Sequence, residues 1–158
     1  MILKEASLKT SVYTLHVKST TAPEFIDITE HVMDCIDQSG VQSGFAVVFS
    51  KHTTAAIVLQ ENEPLLLKDL ANMLERYAPK NGHYYAHNDF DIRTVNMREN
   101  EPPNGHAHCQ HITLGSSETI PIIDSKPAFG KYQSIFMVEL DELTPNPHRE
   151  IIVQILGV

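Results

Sequence analysis

Two runs of apolar residues, Gly44-Phe45-Ala46-Val47-Val48-Phe49-Ser50 and Ala55-Ala56-Ile57-Val58-Leu59-Gln60, are held apart by only four polar ones, Lys51-His52-Thr53-Thr54. Runs of this length, rich in β-branched residues, read as buried strands. The polar joint between them then falls at a strand end, where side chains commonly face a cleft. Further strand-like runs extend from His111 to Leu114 into Gly115-Ser116-Ser117, from Thr119 to Ile123, from Tyr132 to Leu140 and from Ile151 to Leu156. Residues 2 to 18 have β-type composition. There Val12, Thr14 and His16 alternate with Tyr13, Leu15 and Val17, the pattern of a half-buried strand.

Two segments have helical spacing instead. Ile28, Val32, Cys35 and Ile36 recur at three- and four-residue intervals after Asp27, and Gly40 is placed to stop them, which predicts a helix over 27–39. Pro64 suits a first helical turn, and Leu66, Leu70, Met73, Leu74 and Tyr77 form an apolar stripe that ends before Pro79 and Gly82. The expected fold class is α+β: a mostly antiparallel β-sheet or sandwich of about eight strands with two helices packed on it. It is a single domain over 1–158, a length that buries a core without staples.

The charge balance narrows the partners. Twelve basic against twenty acidic residues give a net charge of -8, the opposite of the basic footprint that nucleic acid or an anionic membrane selects. No apolar run approaches the roughly 20 residues of a spanning helix, and the first seven residues lack the pattern of an export signal. Two cysteines, Cys35 and Cys109, each in an apolar pattern, read as buried reduced thiols. These features predict a cytoplasmic protein with a small-molecule substrate, no nucleic acid and no membrane.

The richest chemistry lies between His83 and His111. Five of the nine histidines fall there, among Asp89, Asp91, Arg93, Glu99 and Glu101. From Lys80 to Gly105 periodicity is absent and turn pairs abound, and a loop this long in a compact domain suggests function. If residues 106 to 114 form a strand, His106 and His108 project from one face. Together with His52 at the polar joint and His87 in the loop they make a candidate metal set, since zinc takes nitrogen ligands and a catalytic site keeps one position open. An ordinary loop histidine bonded to its neighbours is the alternative for each. His83 and His111 read as structural or rim residues, and His16, His31 and His148 as surface. Thr53, Thr54, Ser116 and Ser117 offer hydroxyl and backbone N–H groups that could cradle a phosphate, or else satisfy their own turns. Glu63 stands where a carboxylate complements a helix dipole. Arg149 reads as an exposed strand-end arginine that could meet an anion.

These residues, taken in order, resemble a known family. His52-Thr53-Thr54-Ala55-Ala56-Ile57, Asn62-Glu63, Asp69-Leu70, His87, Asn104-Gly105-His106-Ala107-His108, Gly115-Ser116-Ser117, Ile120-Pro121-Ile122 and Gly130-Lys131-Tyr132-Gln133-Ser134-Ile135 are similar to the secondary thiamine-phosphate synthase (YjbQ-like) family over nearly the whole chain. The resemblance implies a compact α+β subunit assembled as a homotrimer, with a divalent metal, zinc by its ligands, on His52, His87 and His108, and His106 as an extra of a longer-loop branch. It further implies phosphate contacts from Thr53, Thr54, Ser116, Ser117 and Arg149, and site-shaping or catalytic roles for Asn62, Glu63 and Asn104. The family is associated with weak thiamine-phosphate synthase activity, joining a pyrimidine diphosphate to a thiazole phosphate with loss of pyrophosphate. Three positions depart from its pattern: Tyr132 stands for a tryptophan, Asn88 for an aspartate after the middle histidine, and Asp141 to Arg149 for a shorter Asp-Gly-Pro-Arg turn. The expectation is a metal-dependent enzyme acting on a small phosphorylated molecule. A metal-dependent hydrolase, or a non-catalytic protein whose metal ties down the long loop through four histidines, are the alternatives.

Overall fold

The computed structural model describes residues 7–141 and 148–158, so the β-type composition at 2–6, the N-terminal signal reading and the loop reading at 142–147 lie outside the described residues. Among the described residues there are eight strands in two antiparallel sheets. The larger has the order β1 (Lys9–Lys18), β8 (His148–Gly157), β3 (Ser43–Ser50), β5 (Ser117–Ile123), β6 (Lys126–Pro127). The smaller runs β2 (Glu24–Asp27), β7 (Gln133–Glu139), β4 (Ala55–Glu61).

Period-two alternation decides how the layers stack. Ala55 and Ile57 of β4 and Ile135 and Met137 of β7 face the large sheet, where they join Ala46, Val48, Ile120, Ile122, Ile151, Val153 and Ile155. Helix α1 (Thr29–Ser39) contributes Val32, Cys35 and Ile36 to the same core. The intervening residues Ala56, Phe136 and Val138 face the other way, against Leu74 of α2 (Pro64–Tyr77) and Ala107 of α3 (Gly105–Leu114). The small sheet is therefore the middle layer, buried on both faces, which is why β4 and β7 read as continuous apolar runs.

Helices α1 and α2 lie where the apolar spacing puts them. Gly40, at φ 63°, ends the first in the left-handed conformation glycine tolerates. Pro64 opens the second behind Glu63, whose carboxylate accepts from the N–H groups of Leu65 at 2.9 Å and Leu66 at 2.7 Å. The strand expected over 106–114 is instead α3. Its buried positions are Gly105, His106, Ala107 and Gln110, and Gln110 replaces an apolar anchor by donating its amide to the carbonyls of Leu74 and Ala78 at 3.3 and 2.9 Å. In a helix, residues two apart point to different sides, so the shared face proposed for His106 and His108 does not exist. The short strands β2 and β6 carried too little pattern to be expected.

Candidate active site

Residues 51–54 carry the chain from the large sheet to the small one, and a cavity of about 530 Å³ opens where they cross. Its walls come from four places: Lys51, His52, Thr53 and Thr54 of this joint; Asn104 and His108 at the start of α3; Asp141 after β7 with His148 and Arg149 opening β8; and His87, Arg93, Asn96, Arg98 and Glu101 of the long loop. Of the expected site residues, His52, Thr53, Thr54, His87, Asn104, His108 and Arg149 are thus brought together. Ser116, Ser117, Asn62, Glu63 and His106 do not line this cavity.

Arg149 is the fixed point of the site. Expected as an exposed strand-end residue, it is buried, because Glu139 of the small sheet, with no exposed surface, lies opposite it. Its Nε donates to Glu139 Oε2 and its Nη2 to Oε1, both at 2.6 Å, and Nη2 also reaches Thr54 Oγ1 at 3.3 Å. Oε2 also accepts Ser19 Oγ, at 3.0 Å, and Oε1 accepts the N–H groups of Leu140 and Asp141 at 3.1 and 3.0 Å. Five hydrogen bonds converge on this buried carboxylate, and the two from Arg149 hold the guanidinium in one plane. Nη1 has no partner among the described residues and remains for a ligand in the cavity that Arg149 lines.

The histidines divide. His87 and His108 stand edge to face with ring centroids 4.6 Å apart. His87 Nε2 is covered and lacks a hydrogen-bond partner among the described residues, with Glu101 Oε1 at 3.9 Å. Burial, then the neighbouring His87, lowers the His108 pKa, against the opposing pull of Asp141 and of a hydrogen bond to the Thr53 backbone. A backbone bond on one nitrogen is the usual way a protein orients an imidazole for a metal. His52 is different: its Nε2 accepts the Glu150 N–H at 2.9 Å, and burial followed by Arg149 lowers its pKa. That bond makes Nδ1 the protonated nitrogen of neutral His52, so it would serve as a ligand only by exchanging this partner. His106 packs toward Tyr85, at 6.5 Å between rings, with Nδ1 unpartnered and its pKa lowered by burial. Among the described residues, no three His, Cys, Asp or Glu side chains are close enough as they stand to enclose a metal. The donor chemistry of His87 and His108 fits an ion, and His52, Glu101, Asp141 and His148 are the further donors in the cavity wall.

The remaining expected residues have structural partners. Ser116 Oγ lies 3.2 Å from His111 Nε2, and Asn62 Nδ2 donates to Asp27 Oδ2 at 2.8 Å. Asn104 is buried and donates Nδ2 to Asp141 Oδ2 at 2.8 Å. Asn88, where the family pattern has aspartate, accepts the Gly105 N–H at 2.8 Å and so secures the start of α3. Cys35 is a buried free thiol as expected, whereas Cys109 is exposed, on the outer side of α3. His148, read as surface, is exposed and also lines the cavity.

Lys51, Arg93, Arg98, Glu101, Asp141 and Glu139 were not singled out as site residues. Their roles depend on the path of an aperiodic loop and on sheet pairing; Glu139, a carboxylate inside an apolar strand run, was the one visible signal. The loop is organised by Glu101. It accepts Arg93 Nη1 at 2.8 Å and the Arg98 N–H at 2.9 Å, while Arg93 Nη2 donates to the Asn96 carbonyl at 2.9 Å. Hydrogen bonding from the Arg98 backbone, then from Arg93, outweighs burial and lowers the Glu101 pKa.

The family model described as UPF0047 protein YjbQ-like matches residues 13–158, which includes all of these walls. The chain belongs to the UPF0047 (YjbQ-like) family. A UPF0047 protein of Methanothermobacter thermautotrophicus is 38% identical over 132 residues, covering 82% of this chain and 84% of its own. Among solved structures, a YbjQ-like protein of unknown function from Sulfolobus solfataricus P2 superposes with a TM-score of 0.83 at 31% identity, over 96% of this chain and all of that one (100%). A hypothetical protein from Aeropyrum pernix K1 gives 0.80 at 28% identity, over 94% and 99%. The family and its α+β fold are thereby fixed.

Proposed function

We propose that this UPF0047 chain is a metal-dependent enzyme acting on a small phosphorylated substrate bound in the cavity between the two sheets. One observation carries the reading: a guanidinium held rigid by Glu139, with Nη1 left over, shares a cavity with two edge-to-face imidazoles. Arg149, with Thr53 and Thr54 beside it, takes the phosphate. His87 and His108, joined by His52, hold a divalent ion, zinc by its nitrogen donors, which supplies Lewis-acid chemistry to a phosphoryl or diphosphate oxygen. Asn104 and Asp141 shape the opposite wall. His106 stays outside the ligand set, because its ring lies toward Tyr85, and this favours an open three-ligand site over a closed four-histidine one.

The reaction class we propose is the transfer that the family resemblance suggests, with a pyrimidine diphosphate and a thiazole phosphate giving thiamine phosphate and pyrophosphate. The cavity volume of about 530 Å³ accommodates organic groups beyond a phosphate. The protein is proposed to work in the cytoplasm as a homotrimer. No helix among the described residues is long and apolar enough to cross a membrane. Self-association is supported by the outer face of the large sheet, where Phe45, Phe49 and Ile123 are 40%, 42% and 59% exposed.

Elemental analysis of protein purified without chelating resin is expected to give about one metal per subunit, most of it lost in His108→Ala. Incubation of the loaded enzyme with both phosphorylated precursors is expected to give the coupled product. Release of inorganic phosphate from the diphosphate alone, with no coupling, makes the protein a hydrolase instead.

A further inference from the structure

The cavity holds an imbalance in pairing rather than in charge. Four cations line it, Lys51, Arg93, Arg98 and Arg149, and four carboxylates line or back it, Glu101, Asp141, Glu139 and Glu150. A general positive field is therefore not what attracts an anion there. Three of the cations are committed: Lys51 to Glu150, Arg93 to Glu101 and Arg149 to Glu139. The Arg98 guanidinium makes no hydrogen bond or ion pair among the described residues, although its own backbone N–H is pinned to Glu101 Oε2 at 2.9 Å. Glu101 is thus used twice, to neutralise Arg93 and to fix the backbone from which Arg98 extends. Asn96 and Asn100, at φ 52° and 59°, turn the chain on either side of it. Beyond the nearby charge of Glu101, the described residues give this exposed side chain no partner. A ligand in the cavity gives it a partner.

We propose that Arg98 contacts the substrate, closing on a second anionic group from the loop side while Arg149 holds the first from the sheet side. This rests on the phosphorylated-substrate reading and goes beyond it, because it assigns specificity to the loop. A ligand with one phosphate meets one free guanidinium edge, and a longer anion such as a diphosphate meets two. The site selects for anion length, and the residue that selects is Arg98.

The test uses inorganic phosphate and inorganic pyrophosphate as probes, titrated into the full-length protein and followed calorimetrically. The wild type is expected to favour pyrophosphate. Arg98→Gln should weaken pyrophosphate about tenfold or more, the scale of a charge-assisted hydrogen bond, and leave phosphate affinity unchanged. Arg98→Lys should restore part of the loss. Arg76→Gln, the same charge change in the last turn of α2, should shift neither probe. An Arg98→Gln protein that binds both probes as the wild type does, or that loses both equally, overturns the assignment while leaving the cavity an anion site. A wild type that binds neither probe overturns the phosphorylated-substrate reading itself.

Discussion

Arg149, on strand β8 of the large sheet, donates two parallel 2.6 Å hydrogen bonds to Glu139, on β7 of the small one. The pair fastens the two sheets to each other at the end where the cavity opens, and it is almost wholly enclosed, with the side chains 0% and 7% exposed. A charge so deeply buried is tolerated only with its partner. Removing the Glu139 charge alone leaves a buried guanidinium short of a counterion. Glu139→Gln should therefore cost about 3 kcal/mol, a fall of roughly 6–12 °C in Tm for a chain of this size. The double variant Glu139→Leu/Arg149→Met should recover most of that stability, since no charge then remains buried, while losing phosphate binding. Thermal melts of both proteins check this. A double variant as unstable as the single one would show that the pair's hydrogen bonds to Ser19, Leu140 and Asp141 matter more than its charge.

Why the floor of the cavity was partly legible and its roof was not follows from periodicity. His52, Thr53 and Thr54 were found because two apolar runs isolate them, and a four-residue joint between buried strands leaves little choice of position. Helices α1 and α2 were found because their apolar residues recur at helical spacing. Helix α3 was hidden because two of its anchoring residues, His106 and Gln110, are polar, while Ile112, which is apolar, is 80% exposed. Its helicity is imposed by tertiary contacts, Gln110 onto α2 and Asn88 onto Gly105, that a local window does not contain. Arg98 and Glu101 lie in a segment with no period at all.

At Gly105 the loop and α3 are in close contact. A Cβ there would come within 2.8 Å of the Tyr85 Cβ and 3.0 Å of Asn88 Oδ1, the atom that accepts the Gly105 N–H. Gly105→Ala must therefore push the Ala86–Asn88 turn, and His87 with it, away from the start of α3. A destabilisation of about 1–3 kcal/mol is expected, typical of overpacking at a tight contact. Metal content should fall as well, because His87 moves relative to His108. Melting and elemental analysis on the same sample read both effects.

Glu118 gives a pH dependence with a definite sign. It lines an apolar groove with Phe25, Val58, Leu59 and Leu114, and burial raises its pKa above 4.5. A carboxyl whose folded pKa is raised favours the fold while it is protonated. Its contribution is complete below the unfolded pKa, near 4.5, and declines as pH rises from there through the folded value. At pH 7 the ionised carboxylate is a net cost, so Glu118→Gln should raise Tm at pH 7 and make little difference at pH 4. Melting curves of the two proteins at both pH values decide it; a variant that is destabilised at pH 7 would mean that the carboxylate has a partner in the working protein.

His106 and His108 provide the sharpest separation, because the sequence set them together and the helix sets them apart. His108 lies in the cavity wall beside His87, whereas His106 is buried toward Tyr85 with Nδ1 unpartnered and a pKa lowered by burial. His106→Phe keeps a planar ring in that position and removes an unsatisfied buried polar atom, so stability should hold or rise by up to about 1 kcal/mol. Metal content should stay at the wild-type level. His108→Ala should lose most of the metal and also part of the link between α3 and the Thr53 backbone, lowering Tm by a few degrees. If His106→Phe instead strips the metal while His108→Ala retains it, the ion sits on the Tyr85 side of α3, and the cavity between the sheets is left as an anion site with no Lewis acid.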